Sequence, residues 1–385
     1  MKENPLLKLR DFGQSIWMDF IQRRMIASGE LKQLINEDGL GGVTSNPSIF
    51  EKAIAGSRDY DAAIRVLALE GKSVDQIYTA LTVEDIQHAA DLFRPVYDRL
   101  DGADGLVSLE VSPGLAHDTA RTLVEARQLW AAVARPNVMI KVPGTLEGLP
   151  AIRQLLGEGI NVNVTLLFGL PRYRQVAEAY LAGLESRAAR GLPLKSVASV
   201  ASFFLSRIDV LLDPRLEHLM ATDPAKAELA QYFHGQVAIL SAKAAYRIYQ
   251  DIFASERFGK LQARGARTQR LLWASTSTKN PAYSDLKYVE ALIGPETVDT
   301  LPLETLAAYR DHGQPASRLS QDAAESLARL SETGIDLDAV TQQLEDEGVH
   351  KFAQSFDTLM NTLKEKQSQT LRSPKMGGTG GTNYE

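Results

Sequence analysis

Short runs rich in β-branched and aliphatic residues alternate along this chain with segments of helical periodicity, and this alternation constrains the fold most. Such alternation is typical of βαβ units and a parallel sheet. Eight units favour a closed (β/α)8 barrel, the α/β fold known as the TIM barrel. The alternative is an open, doubly wound sheet, but no GxGxxG motif follows the first run. The predicted strands are residues 15–20, 42–46, 105–111, 138–143, 161–167, 196–203, 270–276 and 297–302.

Helical periodicity fills the segments between these strands. A single long helix is predicted for residues 224–255, between the sixth and seventh strands. Helices that follow the eighth strand exceed what a barrel needs, and we expect the last of them to pack outside it. The other predicted helical segments are residues 56–100, 116–134, 171–190, 303–311, 320–333 and 336–368.

The chain shows no internal repeat and no interdomain linker, and its 385 residues are 44% hydrophobic, which is enough for one large core. We therefore predict a single barrel domain over residues 1–368. This domain carries helical insertions at 56–100 and 214–265 and C-terminal helices at 320–368. The glycine-rich end, residues 369–385, is predicted to be a flexible tail.

Composition excludes several classes of function. The chain has no cysteine, which rules out disulfides, thiolate catalysis and cysteine-bound zinc, and its six histidines lack metal-binding spacing, so we expect no metal. A net charge of −6 argues against general nucleic-acid binding but allows a local basic pocket for small anions. Because no apolar stretch reaches the roughly 18 residues of a membrane span and no signal sequence is visible, we expect a cytoplasmic protein without a membrane partner.

Three of the predicted strands carry a charged residue in an otherwise apolar run. Lys141 lies in NVMIKVP, Glu110 in LVSLEV and Asp19 in SIWMDF. Strands buried on both faces of a parallel sheet are nearly all apolar, so a charge there needs water, a partner or a chemical role. A buried lysine can attack a carbonyl as an amine, and neighbouring carboxylates can transfer protons. The trio indicates Schiff-base chemistry.

Side-chain alternation predicts where these charges point. In the fourth strand, Val138, Ile140 and Val142 share one face, and Lys141 lies on the other. The apolar faces suit the layer beneath the helices, so the polar faces point into the barrel, whose active sites lie at the C-terminal mouth. By the same pattern, the polar side chains expected to converge there are Asp19, Glu110, Lys141, Asn163 and Thr165.

The alternative interpretation is a buried ion network without chemistry. Buried ion pairs often cost more in desolvation than they return, so they are weak devices for stability. Five inward polar positions on four strands therefore favour a functional site over a structural one.

Three motifs resemble those of a known family, the transaldolases. Residues 42–48 (GVTSNPS) are similar to the TSNPS or TTNPS signature of that family. Residues 140–145 (IKVPGT) look like its Schiff-base lysine motif, and residues 159–168 (GINVNVTLLF) resemble a further strand of the family. The resemblance covers most of residues 13–312 in order, and the length and extra C-terminal helices are typical of the longer bacterial subfamily.

The resemblance implies a class I aldolase barrel of the pentose phosphate pathway. Such an enzyme transfers a dihydroxyacetone unit from a ketose phosphate, sedoheptulose 7-phosphate or fructose 6-phosphate, to an aldose phosphate through a lysine Schiff base. The expected partners are sugar-phosphate substrates, and the reaction needs no cofactor. The rivals are a fructose-6-phosphate-type aldolase of the same fold, which releases free dihydroxyacetone, and a sugar-phosphate-binding barrel without catalysis.

The resemblance also assigns roles to individual residues. Matched by position, Lys141 is the Schiff-base lysine, Asp19 the proton-transfer aspartate and Glu110 the water-assisting glutamate. Thr165 matches the threonine that holds the catalytic water. The residues matched to the hydroxyls of the donor fragment are Asn46, Asn163 and Ser202, and those matched to phosphate are Arg207 and Lys279.

Three of these binding residues have a structural alternative, and a fourth aligns loosely. Asn46 precedes a proline and suits a helix N-cap, Arg207 suits a solvated helix surface, and Ser202 suits the tapering interior of a barrel. Lys279 stands where the family has a second phosphate-binding arginine, in the segment that aligns most loosely. A lysine binds phosphate as a point charge and lacks the bidentate fork of arginine.

Overall fold

The computed structural model describes residues 4–319 and 323–372, and it folds this part of the chain into a closed barrel of eight parallel strands. The strands follow one another around the barrel in chain order, and the first pairs with the last to close it. The predicted TIM-barrel fold is therefore confirmed. The strands are β1 Gln14–Met18, β2 Gly42–Val43, β3 Leu106–Glu110, β4 Val138–Pro143, β5 Val162–Leu167, β6 Ser199–Phe204, β7 Arg270–Ala274 and β8 Thr297–Leu301.

The second strand is much shorter than predicted because the chain leaves the sheet early to begin a helix. Only Gly42 and Val43 pair with β1 and β3. A Cβ atom at Gly42 would lie 2.5 Å from the Leu106 carbonyl oxygen and 2.7 Å from the Trp17 ring, so only glycine fits this part of the barrel wall. Asn46 then caps the next helix, whose first residue is Pro47.

Helices surround the barrel and extend beyond it. They bury their apolar faces against the outer side chains of the strands, including Val138, Ile140 and Val142. The α-helices are α1 Pro5–Lys8, α2 Arg23–Ser28, α3 Glu30–Glu37, α4 Pro47–Ala55, α5 Asp61–Leu69, α6 Val74–Arg99, α7 Thr119–Val133, α8 Gly148–Glu158, α9 Leu170–Ala189, α10 Ser206–Thr222, α11 Ala227–Phe233, α12 Val237–Phe253, α13 Glu256–Gln262, α14 Lys287–Ala291, α15 Leu303–His312, α16 Ala324–Ala328 and α17 Leu337–Arg372.

The prediction of one long helix over residues 224–255 is wrong, because the segment breaks between α11 and α12. Gly235 adopts a left-handed φ of +68° there, and its backbone N–H donates to the Asp213 carboxylate over 2.8 Å. A Cβ atom at this position would lie 2.6 Å from the Tyr283 hydroxyl oxygen. A tertiary contact therefore ends α11, at a glycine that tolerates the turn.

The C-terminal region also differs from its prediction. In place of a helix over residues 320–333, the structure has α16 followed by a 3-10 helix, Arg329–Thr333, while residues 320–322 lie outside the described residues. The last helix runs to Arg372, so the predicted start of the tail at residue 369 is too early. Residues 373–385 of that tail lie outside the described residues.

The last helix lies across the C-terminal mouth of the barrel. It packs against α4, α5 and α6, and it also contacts β5. A Cβ atom at Gly348 of this helix would lie 3.0 Å from the Leu166 side chain, at the end of β5. The last helix thus packs outside the barrel, as expected, but its place over the C-terminal mouth was not predicted.

None of the helices in the described part of the chain combines the length and apolar character needed to cross a membrane.

Candidate active site

Three of the predicted polar side chains lie side by side inside the barrel. Glu110 on β3 pairs in register with Lys141 on β4, which pairs with Asn163 on β5. All three side chains are buried. Successive side chains on a strand point to opposite faces of the sheet. The residues before and after each of these three can therefore be apolar and face the helices, while the polar side chains face the barrel interior. The convergence expected from the sequence is present for these residues.

The Lys141 ammonium group is held between two oxygen atoms. Its Nζ donates to the backbone carbonyl of Ser45 over 2.9 Å and lies 3.2 Å from Glu110 Oε2. The contact with Glu110 is within ion-pair distance but is not aligned as a hydrogen bond, and neither Glu110 oxygen has a hydrogen-bond partner among the described residues. Burial raises the pKa of Glu110 above its ordinary value, and the charge of Lys141 opposes the rise. Glu110 is thus suited to exchange a proton near Lys141.

Asp19 follows β1 directly and faces the same space. It is partly accessible from the pocket and enclosed by protein on its other sides. Its carboxylate accepts a hydrogen bond from Thr44 Oγ1 over 2.6 Å, and Thr44 Oγ1 also lies 2.7 Å from Thr300 Oγ1. Burial raises the pKa of Asp19, against the effects of Lys141 and the Thr44 hydrogen bond. A carboxyl group tuned in this way can take up and return a proton.

The Thr165 hydroxyl is fully buried in the barrel and has no hydrogen-bond partner among the described residues. Thr165 lies on the inner face of β5, two residues after Asn163. Just beyond it, the register of β5 against β6 shifts between Val164 and Leu167, and Leu166 takes a left-handed φ of +60°. Bulges of this kind re-aim side chains and are common beside active sites.

The residues matched to the donor hydroxyls form a partly connected set. Ser202 Oγ donates to Asn163 Oδ1 over 2.7 Å, and Asn163 Nδ2 donates to Ser108 Oγ over 3.1 Å. Asn46 lines the same pocket, and its Oδ1 accepts from the Ile49 N–H over 3.0 Å as the cap of α4. Asn46 therefore is the N-cap of α4. This hydrogen bond uses the side-chain oxygen and leaves the amide nitrogen available to a ligand.

Arg207 lies in the first turn of α10, at the edge of the pocket. Its guanidinium carbon is 5.3 Å from the centre of the Phe204 ring and 5.7 Å from that of the Phe352 ring. The side chain is half-buried, and burial lowers its pKa, although an arginine remains charged under all ordinary conditions. No carboxylate in residues 4–319 or 323–372 lies within 4.0 Å of it, so Arg207 is a fixed cation available for an anion.

Lys279 is exposed, on the loop after β7. Its Nζ donates to Ser277 Oγ over 2.5 Å, and both residues line the pocket. Desolvation lowers the pKa of Lys279. The charge of Glu304 opposes this effect, and the neighbouring cations Lys351, Lys52 and Arg207 add to it. The loosely aligned lysine thus reaches the same space as Arg207.

These side chains surround one pocket of about 940 Å³ at the C-terminal mouth of the barrel. Seven of the nine predicted site residues line it; Glu110 and Asn163 lie directly behind Lys141 and Ser202. A groove of about 1040 Å³ between α8 and α9 is larger, but none of the predicted site residues lines it. The chemistry therefore points to the barrel pocket. The described residues contain no group of three or more His, Asp and Glu side chains placed to hold a metal ion.

Several residues of this pocket were not predicted from the sequence. Thr44 and Ser45 contact Asp19 and Lys141, and their only signal was membership of the GVTSNPS motif. Pocket-lining residues on α4 and α17 were also missed. For α17, no local sequence pattern predicts that a C-terminal helix packs over the barrel mouth. These residues include Lys52, Glu347, Lys351, Phe352 and Ser355.

The sequence is similar to known proteins over most of its length. A family model described as Transaldolase/Fructose-6-phosphate aldolase matches residues 16–363. A transaldolase of Saccharopolyspora erythraea is 50% identical over 365 residues, which cover 94% of this chain and 97% of the relative. A transaldolase of Trichodesmium erythraeum is 48% identical over 374 residues, covering 95% and 98%. One of Thermobifida fusca is 46% identical over 373 residues, covering 94% and 98%.

Proposed function

This chain belongs to the transaldolase/fructose-6-phosphate aldolase family, and we propose that it is a transaldolase of the pentose phosphate pathway, acting in the cytoplasm. It transfers a dihydroxyacetone unit from sedoheptulose 7-phosphate or fructose 6-phosphate to an aldose phosphate. One observation carries the proposal: Lys141 is buried in an apolar strand, beside Glu110 and open to a polar pocket. A lysine in that position is suited to form a Schiff base with a ketose.

The first step joins Lys141 to the donor. The neutral amine attacks the ketone carbon, a C–N bond forms, and the carbonyl oxygen leaves as water to give an iminium ion. Glu110, through a water held by Thr165, supplies and removes the protons of this step. The buried side-chain oxygens of Glu110 and Thr165 have no hydrogen-bond partner among the described residues, which supports these roles.

The second step breaks the donor. Asp19 takes the proton of the hydroxyl on the carbon two bonds from the iminium carbon, the carbon–carbon bond cleaves, and its electron pair moves into the iminium to form an enamine. The shorter aldose phosphate leaves, while the dihydroxyacetone unit stays bound to Lys141. The enamine then attacks the acceptor aldehyde, Asp19 returns the proton, and hydrolysis frees the lysine.

The remaining predicted residues bind the substrate. Asn46, Asn163 and Ser202 contact the hydroxyls of the dihydroxyacetone unit, and their place around the Lys141 pocket supports this assignment. Arg207 and Lys279 bind the phosphate of the sugar at the outer end of the same pocket. The lack of a carboxylate partner for Arg207 among the described residues supports its role.

A donor–acceptor assay tests the proposal. The protein is mixed with fructose 6-phosphate and erythrose 4-phosphate, and the products are separated and quantified. We expect sedoheptulose 7-phosphate and glyceraldehyde 3-phosphate in equal amounts. Free dihydroxyacetone as the main product would instead identify a fructose-6-phosphate-type aldolase, and no product from either sugar would identify a binding protein without catalysis.

A further inference from the structure

One face of α17 lines the candidate active site. The residues of this face recur at intervals of three and four, the spacing that brings side chains to one side of a helix. The helix therefore presents to the pocket a mixture of apolar, acidic and basic groups. These residues are Leu344, Glu347, Gly348, Lys351, Phe352 and Ser355.

Polar contacts along its length hold α17 in this position. Arg172 on α9 pairs with the buried Glu345 over 3.0 Å. Near the middle of the helix, Ser355 Oγ lies 2.7 Å from Ser48 Oγ on α4. Further along, Lys366 pairs with Asp61 on α5 over 2.6 Å. The helix is therefore joined to the elements around the barrel mouth at several points. These contacts hold the backbone from which the pocket-facing side chains extend.

Four cations line the pocket without a carboxylate partner. No Asp or Glu oxygen of the described chain lies within 4.0 Å of the charged groups of Lys52, Arg207, Lys279 or Lys351. Even Glu347, one helical turn before Lys351, does not pair with it. Unpaired like charges repel, and in a partly enclosed pocket the repulsion is screened less than at an open surface. A bound dianion relieves it.

Lys351 differs from the other two lysines in its relation to Arg207. It precedes Phe352, whose ring lies against the Arg207 guanidinium group. The backbone of Gly348 in the previous turn also approaches Arg207, because a Cβ atom there would lie 3.3 Å from Arg207 Nη1. Lys279, by contrast, sits on a loop and donates to Ser277. The helix backbone at Lys351 therefore lies close to Arg207, and the exposed Lys351 side chain starts from that position.

We propose that Lys351 on α17 binds the phosphate of the sugar-phosphate substrate together with Arg207, so that the C-terminal helix is part of the substrate site. The inference rests on the proposed function for the identity of the ligand. It adds Lys351, an exposed cation carried on a helix, where the sequence offered only Lys279 on a loop, and it assigns a purpose to a helix that the barrel does not need for closure.

Paired substrates and matched lysine variants test this inference. The variants are Lys351→Met, the conservative Lys351→Arg, and Lys364→Met on an exposed part of the same helix. For Lys351→Met we expect kcat/KM for fructose 6-phosphate to fall by about tenfold or more, the range for a lost charge-assisted contact. Activity on unphosphorylated fructose should change less than about twofold, Lys351→Arg should retain most activity, and Lys364→Met should match the wild type.

A measurement independent of turnover separates this inference from the proposed function. Inorganic phosphate that binds the folded protein raises its Tm, and we expect a smaller rise in Lys351→Met than in the wild type or Lys364→Met. Equal kcat/KM losses on both sugars, or an unchanged phosphate effect on Tm, would overturn the role of Lys351. A wild-type protein that binds phosphate through Lys351 but transfers nothing would instead overturn the proposed reaction.

Discussion

At the scale of single residues, the two carboxylates beside Lys141 carry separable proton transfers. Glu110→Gln is expected to slow formation of the Lys141 adduct, because Glu110 is the carboxylate near the lysine nitrogen. Asp19→Asn is expected to spare adduct formation and block cleavage. General acid–base groups contribute about 10²- to 10⁴-fold. Rapid-quench borohydride trapping measures the adduct, and release of glyceraldehyde 3-phosphate measures cleavage.

The two carboxylate variants also have an outcome that contradicts their roles. A change in overall turnover of less than about threefold in either variant is too small for a general acid or base. The separate roles are also contradicted if both variants slow adduct formation equally and leave the ratio of adduct to released aldose unchanged.

Asp299 on β8 is a buried carboxyl group that none of the proposed steps uses. It is fully buried, and neither of its oxygens has a hydrogen-bond partner among the described residues. Burial raises its pKa well above the ordinary value. Burial therefore favours the neutral form of Asp299 in the folded protein, and the stability that this protonated form contributes is lost as pH rises from the unfolded pKa, about 3.9, toward the raised folded pKa.

Replacement of Asp299 by asparagine should consequently stabilise the protein at neutral pH. We expect a gain of about 1 kcal/mol or more at pH 7 that shrinks toward pH 4, measured by urea unfolding. Asp85 is the control, because it is equally buried but pairs with Arg23 over 2.8 Å, so Asp85→Asn should destabilise. A destabilised Asp299→Asn at both pH values would show that the carboxyl group has a structural role.

At the scale of secondary-structure elements, the strands of the barrel could be predicted because their pattern is local. The alternation around Lys141 and Glu110 specifies which face is apolar, and parallel pairing brings equivalent positions of β3, β4 and β5 to one level. The inner layer of the site therefore follows from the sequence once the barrel is assumed. The family resemblance, and not the pattern, assigned the roles of Arg207 and Lys279.

The elements that could not be predicted depend on contacts distant in sequence. The break at Gly235 is determined by Asp213 and Tyr283, on other elements. The course of α17 is determined by contacts with α4, α5 and α6, more than 230 residues earlier in the chain. A helical pattern predicts that a helix exists and which face is apolar, but it does not specify what that face covers. Lys351 was missed for this reason.

The close approach of α17 to the barrel mouth can be tested at Gly348. A leucine there would clash with Leu166 and push against Arg207, since a Cβ atom alone lies 3.0 Å and 3.3 Å from them. Overpacking of this kind costs about 1–3 kcal/mol. We expect Gly348→Leu to lower the Tm and to reduce kcat/KM for fructose 6-phosphate.

Gly259 on α13 provides the matched control for Gly348. It is an exposed helical glycine, and a Cβ atom there meets nothing within 4 Å, so Gly259→Leu should leave the Tm unchanged or raise it. If both leucine variants behave alike in Tm and in kcat/KM, α17 is not tightly packed over the site.

At the scale of the whole molecule, the two ends of the barrel differ in role. Buried polar contacts stabilise the N-terminal end, and the candidate active site lies at the C-terminal end. At the N-terminal end, the buried Asp104 accepts a 2.6 Å hydrogen bond from the Trp17 indole and lies 3.9 Å from Arg270. At the C-terminal end, Lys141, the carboxylates and the unpaired cations share one pocket. The chain is acidic overall, with a net charge of −6, so the cluster of cations without a carboxylate partner is a local feature of a pocket that also holds acidic side chains.

The central claim is that Lys141 forms the covalent link to the donor. The most direct measurement is borohydride reduction of the intact protein in the presence of fructose 6-phosphate, followed by mass spectrometry and peptide mapping. We expect one reduced dihydroxyacetone unit per chain, on the peptide that contains Lys141, and no adduct on a folded Lys141→Met variant. An adduct on another lysine, or one that persists in Lys141→Met, would contradict the account.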